Sequence, residues 1–303
     1  MSSAETGILN IDKPQGITSH DVVARVRRLT GIRRVGHAGT LDPLATGVLL
    51  VCVGSATRIS EYLQQGKKTY ETTIRLGQET TTYDAEGQLI QETSVPDFSL
   101  AELTHALDAF RGEIIQIPPA YSAIKQGGQP LYKRARAGQH VQAPPRQVFV
   151  DGIEIMGWQK PDLELCIVCS PGTYIRSIAH DLGQMLGVGG HVRHLRRIAS
   201  GSWRVEDAVT LADLEAAGGD WPRYLHGLGA SLSMLAPVVL PVALAYRFAL
   251  GQRIPLQDHP QVHGDLRVLG PEEQFIGIGR LHEGVLVPHK VFADPQRLAP
   301  NSQ

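Results

Sequence analysis

Residues 47–53, GVLLVCV, form an almost continuous apolar run, the pattern of a fully buried strand. What precedes it is opposite in character. In the segment 36–47, GHAGTLDPLATG, Gly36, Gly39 and Gly47 permit positive backbone dihedrals or the close approach of another chain, and Pro43 confines Asp42 to extended conformations. Asp42 is therefore expected on a stiff loop where the core meets solvent. An Asp-Pro pair alone would only start a turn. Set between two turns and followed by a buried strand, it presents a carboxylate.

The rest of the chain reads coarsely as alternating helices and strands. Thr18 with Asp21 resembles a capping box, and Val22, Val23, Val26 and Leu29 form a helical apolar stripe ending at Gly31, with Arg27 and Arg28 on its polar side. Lys68 to Leu76 alternates as a strand with Tyr70, Thr72, Ile74 and Leu76 on one face. Ser99 with Glu102 opens a second helix running to about Phe110. Ser170 to Thr173 reads as a turn, after which Ile175, Ile178, Ala179, Leu182 and Met185 recur at helical spacing. Arg176 then falls in a first helical turn, where a cation opposes the macrodipole at a cost of roughly 0.3–1 kcal/mol unless an acid compensates. After about Ala236, short runs such as DLRVLG, FIGIGRL and GVLVPHKVFA predict a small all-β module.

Net charge is −1, which by itself argues against a polyanion partner, but its distribution does not. The acid-free stretches Val22 to Leu41, Lys125 to Phe149 and Leu182 to Val205 hold fourteen of the 29 Lys and Arg residues. Such segments either line one polyanion track or form three separate solvated faces. Arginine outnumbers lysine 22 to 7, which suits bidentate phosphate contacts. The second stretch lies in a Gly-, Gln-, Pro- and Arg-rich excursion with a short helical piece around Leu131 to Ala137, and long ordered loops are more often functional than idle. Cys166 and Cys169 make a CxxC inside strand-like LELCIVCS, where residues three apart face opposite sides, so a paired-CxxC zinc site is not expected. MSSAETGILNID has neither a basic n-region nor an apolar h-region, and no apolar stretch reaches the ~20 residues of a spanning helix. A cytoplasmic protein is the simplest expectation.

The loop around Asp42 resembles the catalytic loop of the TruB-type tRNA pseudouridine synthases, whose single essential aspartate stands at the place of Asp42. The resemblance continues through the turn at Lys13 and Pro14, KTY at 68–70, TTTYDAEG at 80–87, IPPAYSAIK at 117–125, GTYIRS at 172–177 and HLRR at 194–197. These blocks keep the family's order over roughly 210 residues. The resemblance implies an α+β catalytic domain over residues 1–236, built on a mixed, largely antiparallel sheet with a basic thumb loop at about 125–146. Residues 237–303 would form a small β-barrel of the PUA type that binds RNA. The implied reaction is isomerisation of uridine 55 in the T-arm loop of tRNA, which needs neither metal nor redox cofactor, by a monomer without an obligatory protein partner.

The same resemblance assigns roles. Asp42 is the carboxylate at the sugar, Arg176 its counter-ion, and Tyr70 the base or proton relay at C5 of the uracil. Tyr174 packs beside Tyr70. His37 either fills the gap left by the flipped nucleotide or simply satisfies a backbone carbonyl. Leu195 is an apolar wall and Arg197 a phosphate or base contact, or the two are core and surface residues of a helix. Lys13 joins the substrate-binding set. Lys133, Arg134, Arg136 and Arg146 grip phosphates from the thumb. Asp84 matches a further acid of the family, although a turn-forming aspartate before Gly87 explains it equally well. Two other functions share these features: a guide-RNA-dependent pseudouridine synthase, and a tRNA-binding or folding module without catalysis.

Overall fold

The computed structural model describes residues 5–121, 125–126, 129–131, 134, 143–256 and 264–299. Its centre is a ten-stranded sheet. Along it run Val209–Thr210, Gly7–Lys13, Thr46–Val53, Gly190–Ser200, Lys68–Leu76, Asp162–Cys169, Arg146–Gln159 and Gly112–Gln116, with Val35–Ala38 and Trp203–Arg204 paired at its side. Two of these pairings are parallel, Gly7–Lys13 with Val209–Thr210 and Thr46–Val53 with Gly190–Ser200; the others are antiparallel. The mixed, largely antiparallel sheet expected from the resemblance is thus observed.

Local chemistry explains the elements nearest the site. Thr18 and Asp21 do form a capping box on the helix Ser19–Thr30, which ends where Gly31 turns left-handed at φ 69°. Val22, Val23 and Val26 carry its apolar stripe into the core. Every residue from Gly47 to Val53 is buried, because this strand lies between Gly7–Lys13 and Gly190–Ser200 with both faces covered. Lys68–Leu76 buries alternate residues, as its period predicts.

The sharpest backbone constraint falls on Gly47. It has φ 98°, and a Cβ built there would lie 2.2 Å from the carbonyl oxygen of Arg197 on the neighbouring strand. The loop carrying Asp42 can re-enter the sheet only because nothing projects at this position. Gly47→Ala is expected to cost more than about 2 kcal/mol of stability through φ strain and a backbone clash. Urea unfolding checks this, and a loss under about 0.5 kcal/mol, the scatter of ordinary surface changes, would contradict it.

Two expectations need correction. HLRR is not helical: it lies in the strand Gly190–Ser200, so Leu195 and Arg197 share one strand face two residues apart. Helical spacing cannot be read from four residues. The C-terminal unit is also not all-β. Its five strands, in the order Pro237–Val239, Asp265–Leu269, Phe275–His282, Val285–Val291 and Ile254–Pro255, pack on a helix, Val242–Ala249, through Ala245, Phe248, Leu266, Ile276 and Leu286. This sheet is tied to the larger one. The Tyr62 hydroxyl donates to Asp265 at 2.5 Å, Arg58 to the Val291 carbonyl at 2.7 Å, and Ile278 joins the core under Val48 and Leu50. Among the described residues no helix is long and apolar enough to cross a membrane.

Candidate active site

Asp42 and Arg176, 134 residues apart in sequence, meet at 2.9 Å between Oδ2 and a terminal guanidinium nitrogen. Arg176 is the second residue of the helix Ile175–Met185, as its periodicity predicts, and its side chain is only 4% exposed. A cation in this place faces the positive end of a helix and loses its water, so it requires anions. It has two. Asp84, equally buried, lies 3.3 Å from the other terminal nitrogen, and the carbonyls of Thr82 and Tyr121 accept at 3.0 Å each. Asp42 differs from Asp84 in keeping about a third of its side chain exposed. One carboxylate anchors the arginine and the other reaches the surface of the site.

The signal for Asp84 was weak in the sequence because a turn explains it. The structure shows what that turn does. Tyr83 sits in the left-handed region at φ 62°, unusual for a bulky residue, and its ring stacks on His180 at 3.8 Å. Asp84 then receives the Thr82 hydroxyl at 2.5 Å and the Glu86 amide at 3.1 Å on the oxygen not committed to Arg176.

Two cavities meet at the ion pair. One, of about 340 Å³, is lined by Asp42, Lys68, Tyr70, Thr173, Tyr174, Leu195 and Arg197 together with Arg176. The other, of about 700 Å³, is lined by His20, His37, Pro43, Glu86 and Tyr121, again with Asp42 and Arg176. Of the residues singled out in the sequence, Asp42, Tyr70, Tyr174, Arg176, Leu195 and Arg197 therefore share the first cavity. His37 faces the second, from the strand Val35–Ala38 rather than from the loop itself.

Tyr70 is almost completely buried, and burial pushes its hydroxyl above the usual phenol range while Arg197 pulls it down. It is a neutral phenol at neutral pH. It can relay a proton by accepting one as it gives up its own, but it cannot wait as a phenolate. Burial likewise lowers the His37 pKa, with the charges of Arg197 and His20 acting in the same direction, so its imidazole is uncharged at neutral pH; Nδ1 has no partner among the described residues.

Lys13 and Arg197 both spend donors on the backbone around the aspartate loop. The Lys13 side chain is fully buried, and its Nζ donates to the carbonyls of Pro14, Ile17 and Pro43, tying the start of the first helix to the residue after Asp42. Burial lowers its pKa to about 8. Arg197 is 2% exposed and donates to the carbonyls of Val48, Thr40 and Gly39, so it fixes the aspartate loop from beneath. Three of its five N–H donors thus go to backbone oxygens. The third basic stretch is similarly committed, with Arg193 paired to Asp162 and Arg196 to Asp12.

Arg146 stays exposed at the cavity rim, donating to the Gly172 carbonyl at 3.3 Å with its guanidinium 5.9 Å from the Tyr174 ring. Arg134 is half-buried, while Lys133 and Arg136 lie outside the described residues. On the strand Asp162–Cys169, Cys166 is half-buried and Cys169 buried, facing opposite sides as strand geometry requires. Sequence reasoning passed over Lys68, a buried cavity-lining lysine in the KTY block that strand alternation places on the face of Tyr70.

Residues 27–175 match the TruB family pseudouridylate synthase N-terminal domain, residues 176–245 the tRNA pseudouridylate synthase B C-terminal domain, and residues 236–292 the pseudouridine synthase II TruB C-terminal domain. The chain is 44% identical to tRNA pseudouridine synthase B of Xanthomonas oryzae pv. oryzae over 94% of both chains. It is also 44% identical to the protein of that name from Trichormus variabilis, over 94% of this chain and 98% of the other. Among solved structures it resembles a chain of an H/ACA RNP bound to a substrate RNA containing 2'-deoxyuridine, with a TM-score of 0.76 at 23% identity over 98% of this chain and 88% of that one. At that identity the likeness is one of fold.

Proposed function

The chain belongs to the TruB family of pseudouridylate synthases, and from that premise we propose that it converts uridine 55 in the T-arm loop of tRNA to pseudouridine without a guide RNA. The observation that carries this reading is a partly exposed carboxylate, Asp42, held by a buried arginine where two cavities meet. The target uridine is stacked in the folded arm, and extruding it costs a few kcal/mol. The smaller cavity receives the flipped uracil between the walls provided by Tyr70, Tyr174 and Leu195. The larger one faces the RNA it left, where the neutral ring of His37 fills the gap or contacts the extruded nucleotide.

Pseudouridine formation detaches the base from C1′, turns it, and rejoins it through C5, after which the C5 proton leaves. Asp42 acts at the sugar, either by adding to the nucleoside or by taking a C2′ proton. Tyr70 relays the C5 proton. Lys133, Arg134, Arg136 and Arg146 neutralise phosphates, and the domain after residue 236 binds the acceptor side of the tRNA. The protein works as a monomer in the cytoplasm. Near-full-length identity to curated tRNA pseudouridine synthase B proteins favours a stand-alone enzyme over the guide-dependent alternative, since the likeness to the H/ACA RNP speaks only to fold.

Release of tritium from a tRNA transcript labelled at uridine C5 tests this. The purified chain alone is expected to release about one equivalent per tRNA. No release without added RNA or protein would contradict the proposal. Tyr70→Phe keeps the ring and removes the hydroxyl, so release should slow by on the order of 10²-fold or more. An unchanged rate would reject the relay.

A further inference from the structure

Five charged side chains are buried around the site among the described residues, and four have three or more partners each. Lys13 and Arg197 each donate to three carbonyls, Arg176 to two carboxylates and two carbonyls, and Asp84 accepts from Arg176, Thr82 and Glu86. The fifth is Lys68. It is 5% exposed, yet its Nζ has one hydrogen bond among the described residues, to the Ser200 hydroxyl at 2.9 Å, and no carboxylate. An ammonium carries three donors, and leaving two unmatched at a buried position is costly. Lys68 lines the same cavity as Asp42 and stands two residues before Tyr70 on one strand face, about 6.5 Å along the strand. It faces the space that a uracil lying on Tyr70 would fill, and uracil offers two exocyclic oxygens as acceptors.

We propose that Lys68 is a further catalytic residue of this site, its Nζ donating to an exocyclic oxygen of the target uracil and holding the negative charge that the base acquires on leaving C1′. This role rests on the pseudouridine-forming function proposed above. As the C1′–N1 bond breaks, its electron pair passes to the base and spreads over N1 and the two oxygens. C5 then attacks C1′, displacing the Asp42 carboxylate if it has added there or with return to C2′ of the proton Asp42 took; the C5 proton leaves through Tyr70, and N1 takes up a proton. Lys68 gives a hydrogen bond and no proton, so the balance needs no co-reactant. Burial lowers its pKa to about 8, so it remains mostly charged at neutral pH. A preorganised donor aimed at developing charge in a cavity from which the bound base excludes water is worth far more than one in water.

Single-turnover rates at saturating tRNA test this with transcripts carrying uridine, 2-thiouridine or 4-thiouridine at position 55, sulfur being a weak acceptor. The wild-type protein should be slowed by one of the two sulfurs. Lys68→Met should lower the uridine rate by about 10²–10³-fold, the usual cost of one such donor, with tRNA affinity little changed. Its penalty should largely vanish on the sensitive thio-substrate, because the bond is already lost. A merely structural lysine would give penalties that multiply. Wild-type protein active on uridine and indifferent to both sulfurs would overturn the role of Lys68 without recourse to any variant. Wild-type protein inactive on uridine would overturn the function itself.

Discussion

Asp42→Asn is expected to lower the single-turnover rate by on the order of 10³-fold or more while leaving tRNA affinity within a few-fold. The substitution keeps the size of the side chain and an oxygen that can still accept from Arg176. It removes the charge that both candidate chemistries at the sugar require, since neither a nucleophile nor a base at C2′ can be an amide. Arg176 keeps Asp84 as an anion, so the fold around the site should survive. Rapid-quench measurement with saturating transcript isolates chemistry from binding. A rate within about tenfold of the parent would be too small a loss for a group acting directly on the substrate.

Arg176→Met is expected to have the largest effect on stability, roughly 3–5 kcal/mol, together with loss of turnover. Removing the guanidinium leaves Asp42 and Asp84 facing each other without a cation and strands the Thr82 and Tyr121 carbonyls. Asp84 sets most of that loss, because it is buried, whereas Asp42 can turn a third of its surface to water. Adding Asp84→Asn to Arg176→Met should therefore recover part of the stability without recovering activity. Urea unfolding of the single and double variants checks this. A cost under about 1 kcal/mol for Arg176→Met would place the pair in the class of exposed salt bridges.

The elements governed by local chemistry were legible in the sequence. The capping boxes at Thr18 and Ser99, the buried run behind Gly47, the alternation of Lys68 to Leu76 and the helix carrying Arg176 all depend on residues within a few positions of one another. Asp42, Tyr70 and Arg176 were legible as a set only through the family resemblance, because no spacing rule links residues separated by a sheet crossing. What sequence could not settle was how charges are spent. Three acid-free stretches looked like free basic surface, yet Arg193 and Arg196 find Asp162 and Asp12 across the sheet, and Arg25 approaches Glu215 at 3.9 Å. The absence of acids nearby in sequence does not imply their absence nearby in space. Lys13 and Arg197 show the same limit from the other side. Their cationic ends serve backbone carbonyls that orient the aspartate loop, a use that leaves no mark in the pattern of residue types.

The central claim is that this chain alone rearranges one uridine of the T loop. Incubating the purified protein with an unmodified tRNA transcript and mapping pseudouridine by carbodiimide-dependent primer-extension stops tests it at nucleotide resolution. The expected result is a single stop at uridine 55, absent with Asp42→Asn and present without guide RNA or a second protein. A transcript left unmodified by the parent protein, or a stop at another position in place of 55, would contradict it.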